Sequence, residues 1–518
     1  MVDYGVRFNF ISCDRERVLS LPPDVRQWLP PQHLCGKVLA AVQKLDLSAF
    51  LAGYRADGQG HAAYPPDVVL SLVLYCYSKG IRSSRRIEAA CLDDVGCRII
   101  AANQQIDHAT IARFLRRHRH RLESLFLQVL ALCGRRGMVD LSAVAVDGSP
   151  MHANAARSSN RTLQQLEAVV ADGEARIARS MTGLAPDTTT ASAQPAGLRR
   201  VGRNELSWGP LARLGDRIAR ARTARDNLYE RALPSSGEIQ LKVEAAERMV
   251  ARAEQRLAAV TAAHTTTLQA YARRTRQDQA VGRQRANGRP PVALHAKASV
   301  LRQRERLARA QAGLQNIRNP HPTPSPRTRA SLTDPQSRLM LGKRGGYVQG
   351  YNVQIASTRN QLLLTIELQD NPSDMTALVP VVKRTQHNCA AAGIDGQVAA
   401  WLADSGYASA ANFAALNDLP LFVSVTQEYR QTHSPHPPQP ASVPAGQRDM
   451  AARLATPAGR EFYARRSALV EPGFAQLFQR FGRHLHYRGA TSVDAEIKLL
   501  GAVHNLNKLF RHDAKRPS

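Results

Sequence analysis

The chain has 518 residues, with 70 Lys+Arg against 42 Asp+Glu and a formal net charge of +28 at pH 7. That length exceeds one ordinary core and sets an expectation of two or three domains, each of which a hydrophobic fraction of 43% can fill. The arginine-rich excess calls for a polyanionic partner, because guanidinium forks match phosphate oxygens, and an aromatic content of 5% disfavours single-strand binding by base stacking and leaves duplex DNA.

A membrane span is not expected. The longest apolar run, Val68 to Tyr77, is interrupted by Ser71 and falls well short of the roughly 18 to 20 residues a bilayer needs. The first residues, Met1 to Arg7, carry no basic segment followed by an apolar one, so the expected location is the cytoplasm, in association with the nucleoid. The seven cysteines form no Cys-x-x-Cys pair, which argues against a disulfide framework and a structural zinc site. His108, His118 and His120 lack partner ligands at metal spacing and read as an ordinary solvated helix face.

Residues 1–138 read as an all-helical N-terminal domain. Pro65-Pro66-Asp67 starts a helix with an apolar face through Val68, Val69, Leu72, Val73 and Tyr77, closed by Gly80. A capped start at Ser83-Ser84 leads into Ile87-Glu88, and another helix follows Asp107. The latter carries Arg113, Arg116 and Arg117, so this basic last helix suits a helix-turn-helix style of DNA contact; the plainer alternative is a bundle with a basic face.

Val144 to Gly148 is a β-branched run expected to form a buried strand that delivers Asp147 to the rim of a sheet. Residues 161–328 then change character. Val243, Ala246, Val250, Ala253, Leu257 and Val260, and again Val300, Leu307, Ala310, Leu314 and Ile317, follow a three-four spacing, which predicts two long helices packed as a coiled-coil hairpin around Gly282 to Pro291. Thr188 to Pro195 and Pro320 to Pro326 read as linkers. The segment is a basic helical insertion between residues 139–160 and 329–518, which together form the sheet domain.

The sheet pattern resumes with alternation over Gly345 to Ile355 and Leu362 to Gln369, turning at Ser357 to Asn360, hence a hairpin. A helix over Met375 to Ala392 follows, then a strand ending in Asp404, a helix over 408–416 and a strand over Leu419 to Thr426. Gln427 to Gln447 is proline-rich and reads as a loop. Helices are expected over Phe462 to Ser467, from Glu471 to Phe481, and over Val493 to Phe510. The glycine-rich Gly342 to Gly346 lacks the Gly-Lys-Ser/Thr of a phosphate loop and reads as a strand entry.

This order predicts an α/β class with an RNase H-like mixed sheet, in which the strands of Asp147 and Asp404 lie parallel and adjacent. Two strand-end aspartates and a later glutamate, Glu471, are what two divalent ions need to stabilise the attacking and leaving oxygens of a phosphodiester; magnesium, or manganese, takes carboxylates and waters. Taken singly, each acid has a structural use: an Asp before Gly serves a turn, and Glu471 before Pro472 serves a helix start. The ordered set is what carries the chemistry.

The chain resembles the bacterial insertion-sequence transposases of the DDE class. The motifs are Val146-Asp147-Gly148 with Ala153-Asn154-Ala155, Asp334-Pro335-Gln336-Ser337-Arg338, Gly345-Gly346-Tyr347-Val348-Gln349-Gly350-Tyr351-Asn352, Leu402-Ala403-Asp404-Ser405-Gly406-Tyr407, Val470-Glu471-Pro472 and His504-Asn505-Leu506-Asn507. The leader matches through Asp46-Leu47-Ser48, Arg82-Ser83-Ser84-Arg85 and Asp107-His108-Ala109-Thr110. The resemblance implies binding to the terminal inverted repeats of the element, metal-dependent cleavage, joining to target DNA, and a homo-oligomer during the reaction. It implies Asp147, Asp404 and Glu471 as metal-holding catalytic acids, with Tyr463 and Arg466 against DNA phosphate. Two positions depart from the family signature: four residues separate Arg466 from Glu471 instead of three, and Phe478 stands where a lysine is expected, with Arg480 nearby as a substitute. Ser149-Pro150 also replaces the usual Thr-Lys. These departures keep a second reading open, a catalytically impaired copy acting only as a DNA-binding protein. A simple nuclease of this fold is a third, weighed against by the leader and the insertion.

Overall fold

The computed structural model describes residues 11–17, 24–57, 59–182, 208–233, 236–282, 289–319, 324–342, 345–369, 371–425 and 445–515. The expected linker at Thr188 to Pro195 lies outside these residues, as do most of the Gln427 to Gln447 loop, Lys343 and Arg344 of the glycine-rich stretch, residues 283–288 of the hairpin connection and residues 320–323 of the second linker. Contacts divide the chain into two compact units, residues 1–160 with 331–518, and residues 161–330.

The first unit opens with α1 (Leu34–Val42), α2 (Ser48–Leu51), α3 (Pro66–Ser78), α4 (Ser84–Asp93), α5 (Val95–Ile100), α6 (His108–Arg117) and α7 (Leu122–Arg135). Every residue of α3 is buried, not one face alone, so α3 is the axis the other leader helices surround. Its polar Ser71 is accommodated by bonding back to the Asp67 carbonyl at 2.6 Å. Gly80 ends it at φ +78°. Asp107 caps α6 by accepting from the Thr110 amide at 2.9 Å, whereas Ser83 precedes α4 without a side-chain cap.

After α7 comes β1 (Val144–His152), longer than expected, so Asp147 lies within the strand and not at its end. Asn160–Thr162 (β2) and Arg329–Ser331 (β3) pair as a two-stranded ribbon where the chain leaves for the second unit and returns. Beyond it lie β4 (Arg338–Leu341), β5 (Tyr347–Thr358), β6 (Leu363–Gln369), α12 (Leu378–Ala391), β7 (Trp401–Ala403), α13 (Ala410–Ala415) and β8 (Leu421–Val423). The helices α14 (Ala445–Ala455), α15 (Pro457–Ala464), α16 (Arg466–Phe481) and α17 (Ala490–Asp513) complete it. The labels α8 to α11 belong to the second unit.

The sheet order is β4-β5-β1-β7-β8, with β6 also on β5. β1 and β5 are antiparallel, from Val144 opposite Thr358 to His152 opposite Gly350. β1 and β7, and β7 and β8, are parallel. This is an RNase H-like sheet. The edge of β6 is covered by α17, whose Asn505 accepts from the Leu363 amide at 2.9 Å and donates to the Leu363 carbonyl at 2.8 Å. A side chain at Gly501 would fall 2.6 Å from Ile366 and 3.1 Å from Phe126, so α17 sits between sheet and leader only because that residue has none. Residues 1–138, expected as a domain apart, therefore share one compact unit with the sheet.

Among its described residues the second unit holds four α-helices where the spacing predicted two: α8 (Leu163–Thr182), α9 (Trp208–Ala232), α10 (Ser236–Ala280) and α11 (Ala298–Arg318). They contact in pairs, α8 with α9 and α10 with α11. Gly173 of α8 admits Ile218 of α9, and Arg318 meets Glu247 at 2.7 Å across the second pair, an antiparallel arrangement. Among the described residues no helix is long and apolar enough to cross a membrane.

Candidate active site

The parallel register of β1 and β7 sets Val144 beside Trp401 and Ala145 beside Leu402. Continued along both strands, it brings Asp147 level with Asp404. The Asp147 side chain is 9% exposed and that of Asp404 38%. Between them stands Arg466, the first residue of α16. One of its terminal nitrogens lies 3.6 Å from Asp147 Oδ1 and 3.4 Å from Asp404 Oδ2, ion-pair distances too long for strong hydrogen bonds. Its buried Nε has no hydrogen-bond partner among the described residues.

A third carboxylate that the sequence reading passed over stands beside this pair. Asp374 Oδ1 accepts from Asn352 Nδ2 at 2.9 Å and from Gln354 Nε2 at 2.7 Å. A side-chain carbon at Gly148 would collide with Gln354 and Asp374, and one at Gly406 would lie 3.0 Å from Asp404 Oδ1 and 3.7 Å from Asp374 Oδ2. The two Asp-proximal glycines thus make room for the polar cluster. The Tyr407 hydroxyl donates to Gln354 Oε1. Burial first, then Asp374, Asp147 and Asp404, push that phenol well up, against Arg466. The available signal was alternation on β5: Asn352 and Gln354 share a strand face, and two amides on one buried face need an acceptor.

The other expected residues lie as follows. Tyr463, at the end of α15, shares a hydrogen bond with Ser424, and its phenol is pushed up mainly by burial, with Arg466 and Asp404 among its electrostatic neighbours. Glu471 is exposed within α16, five residues past Arg466. It is not the helix start, which lies at Arg466, and Pro472 follows it inside the helix. No group of three or more His, Cys, Asp or Glu side chains able to hold a metal occurs among the described residues. Arg480, near the far end of α16, donates to the Ser78 carbonyl and is remote from the pair. Arg113 and Arg116 are exposed on α6, while Arg117 donates to the Gly53 carbonyl and lies 4.3 Å over the Tyr54 ring. His118 departs from a solvated face: it is buried against Phe50 and Phe114. His108 pairs with Glu88 at 2.7 Å.

Phe478, at the position where a lysine was expected, stacks on Phe474 and carries the Arg483 guanidinium 3.9 Å over its ring. A cation is therefore present there, but on another residue. For a divalent ion, Asp147 and Asp404 are a fitting donor pair. They are hard oxygen ligands converging on one positive group, and the guanidinium occupies the place of a counter-cation.

Two family descriptions match the chain. A transposase domain (DUF772) matches residues 23–117, and a transposase DDE domain matches residues 319–506. The second covers Asp374, Asp404, Arg466 and Glu471; Asp147 lies before it. No curated protein and no solved structure matches significantly. With a transposase domain on its leader, a transposase DDE domain over most of its sheet and an RNase H-like strand order, the chain belongs to the DDE transposases of insertion sequences.

Proposed function

We propose that this transposase binds the terminal inverted repeats of its own element, cuts there and joins the freed ends to target DNA. Asp147 and Asp404 hold a divalent ion, magnesium or manganese, and Glu471 is the third acid, from α16. The observation that carries this reading is Arg466 set between two aspartates on adjacent parallel strands, 3.6 and 3.4 Å from them. A bound ion supplies Lewis-acid polarisation of the phosphate and an acidified water.

The chain's own residues do the rest. Arg466, freed from the carboxylates it neutralises, turns to the phosphate oxygens, and Tyr463 beside it lines the approach. In cleavage, water oxygen attacks phosphorus, and the bond to the 3'-oxygen breaks to leave a 3'-hydroxyl. In joining, that hydroxyl attacks a target phosphodiester, so one phosphorus–oxygen bond forms as another breaks. Duplex binding falls to the basic surface, including Arg113, Arg116, Arg117 and Arg480, and protomers pair on two ends.

The test pairs gel-shift affinity for element ends with magnesium-dependent cleavage, on wild type, Asp147→Asn and Asp404→Asn. Both variants should bind like wild type and cut orders of magnitude more slowly, since asparagine keeps the size and removes the charge. Normal cleavage by either variant would remove the assignment. A wild type that binds tightly and never cuts would mark a DNA-binding protein alone.

A further inference from the structure

At the other end of α16 from Arg466, the end of α3, α16 and α17 enclose a cavity of about 540 Å³. Its lining carries Lys79, Arg480, Lys508 and Arg511 and no carboxylate. Lys79 is paired, with Asp94. The other three cations have no carboxylate partner among the described residues: Arg480 donates to the Ser78 carbonyl, Lys508 donates to Gln361 Oε1 at 2.7 Å, and Arg511 stands exposed at the rim.

The floor is built. Gln361, at the tip of the β5–β6 hairpin with φ +60°, accepts at Oε1 from Lys508 and, at 2.6 Å, from Gln476, and at its carbonyl from His504 Nε2 at 2.8 Å. On the wall, Gly80 approaches so closely that a side-chain carbon there would lie 2.9 Å from the Arg480 carbonyl oxygen. Burial, with Arg511 and Lys515 nearby, brings the Lys508 ammonium down to about 8. Arg480 and Lys508 are held by neutral oxygens and Arg511 by none among the described residues, so three cations line the cavity without a carboxylate counter-charge.

We infer that this cavity is a second DNA contact, which takes backbone phosphates of the duplex about six base pairs from the bond that is cut. This rests on the function proposed above. No Phe, Tyr or Trp lines the cavity, and the His504 ring is 5% exposed with its Nε2 on the Gln361 carbonyl, so a base has no exposed ring to stack on, and the contact is to phosphodiester oxygens. Arg466 and Arg480 are fourteen residues apart on one helix, roughly 21 Å at 1.5 Å per residue, which spans about six base-pair steps of about 3.4 Å along the duplex axis. Lys508 and Arg511 lie beyond the matched DDE region, which ends at residue 506.

The experiment uses the full chain and an element-end duplex, with Lys508→Gln, Arg511→Gln and the double variant. Affinity is measured over a salt series, and methylphosphonate substitution maps the phosphates that matter. The slope of log affinity on log salt should fall by about 0.9 for each side chain removed. Interference roughly six base pairs from the cut should vanish in the double variant. Unchanged slope and unchanged map in a double variant that melts like wild type overturn the inference. Should Lys508→Gln not fold, the exposed Arg511→Gln decides alone, by a slope lowered by about 0.9 or unchanged. A wild type that cuts while the double variant binds with the wild-type slope sinks the cavity and leaves the catalytic reading standing. A wild type that neither binds nor cuts sinks both.

Discussion

Arg82 and Glu496 form an ion pair withdrawn from solvent, with side chains 3% and 0% exposed. Arg82 comes from the turn before α4, Glu496 from α17. The same carboxylate accepts from the amides of His486 and Tyr487 at 3.0 and 3.1 Å, and Arg82 also donates to the Phe481 carbonyl. One pair thereby ties the leader to the last helix of the sheet layer. Glu496→Ala leaves the guanidinium and two amides without their acceptor, so it should cost about 3–5 kcal/mol in urea unfolding. Replacing both partners with methionine and leucine should cost less than the single change. A loss below about 1 kcal/mol for Glu496→Ala would mean the pair is not holding the two parts together.

Arg466 competes for the carboxylates that the proposed ion needs. Arg466→Gln removes a unit charge within 4 Å of both, an interaction of about 4 kcal/mol at an effective dielectric of 20. Manganese affinity, read by calorimetry, should rise about tenfold or more, while strand cleavage falls for want of the phosphate contact. Unchanged manganese affinity would sink the shared-cation reading.

Asp374 and Glu471 make opposite claims on the third carboxylate position. Asp374 is tied by two amides beside the aspartate pair, whereas Glu471 is exposed within α16. If Glu471 is the third acid, Glu471→Gln removes cleavage as fully as Asp404→Asn, and Asp374→Asn, acting by orientation, slows it about 10- to 100-fold. The reverse ranking would transfer the role to Asp374.

What the sequence made legible was local. The alternation of β5 and β6, the apolar run before Asp404 and the Asp107 cap each declare themselves within a few residues. The level placement of Asp147 and Asp404 followed from one topological rule, that the two strands are parallel neighbours. Less visible was anything set by partners far along the chain. β1 runs on past Gly148 because β5 pairs with it as far as His152, so Asp-Gly there is not a turn. The start of α16 at Arg466 was hidden by Pro472, whose missing N–H forfeits the bond to the Ala468 carbonyl and reads as a helix break, while the buried face of Leu469, Val470 and Gly473 runs on through it. α8 and α9 were missed because alanine, glycine and arginine dilute their apolar seam.

Two buried histidines set an acid limit. Burial, then Arg121 and Arg117, pushes His118 down to about 4, and burial, with Lys508, Arg480 and Arg511, does the same to His504. Both are neutral in the folded chain and take up a proton on unfolding near pH 6.5. Their stabilisation is therefore complete above pH 6.5 and is lost as pH falls toward 4, by about 1.4 kcal/mol per pH unit for each. Asp334, Glu367 and Asp494, raised by burial, oppose this slope because protonation relieves them. Urea midpoints from pH 7 to 4.5 should fall, and should fall less steeply in His118→Gln. An identical slope in that variant would remove His118 from the account.

The second unit should be separable. Its chain leaves and returns through β2 and β3, which pair with one another, so a short glycine-serine turn can join Thr162 to Arg329 as a hairpin without stretching either strand. Closing that turn in place of the long insertion changes loop entropy only slowly with length. The shortened chain should therefore unfold in one cooperative urea transition, within about 2 kcal/mol of the sheet unit in the full chain. Binding to element ends should weaken and its salt slope should become shallower, because the insertion's arginines go with it while the phosphate contacts of the first unit remain. An insoluble product with no cooperative transition would make the four helices part of the core; unchanged binding and an unchanged salt slope would instead free them from any contact with DNA.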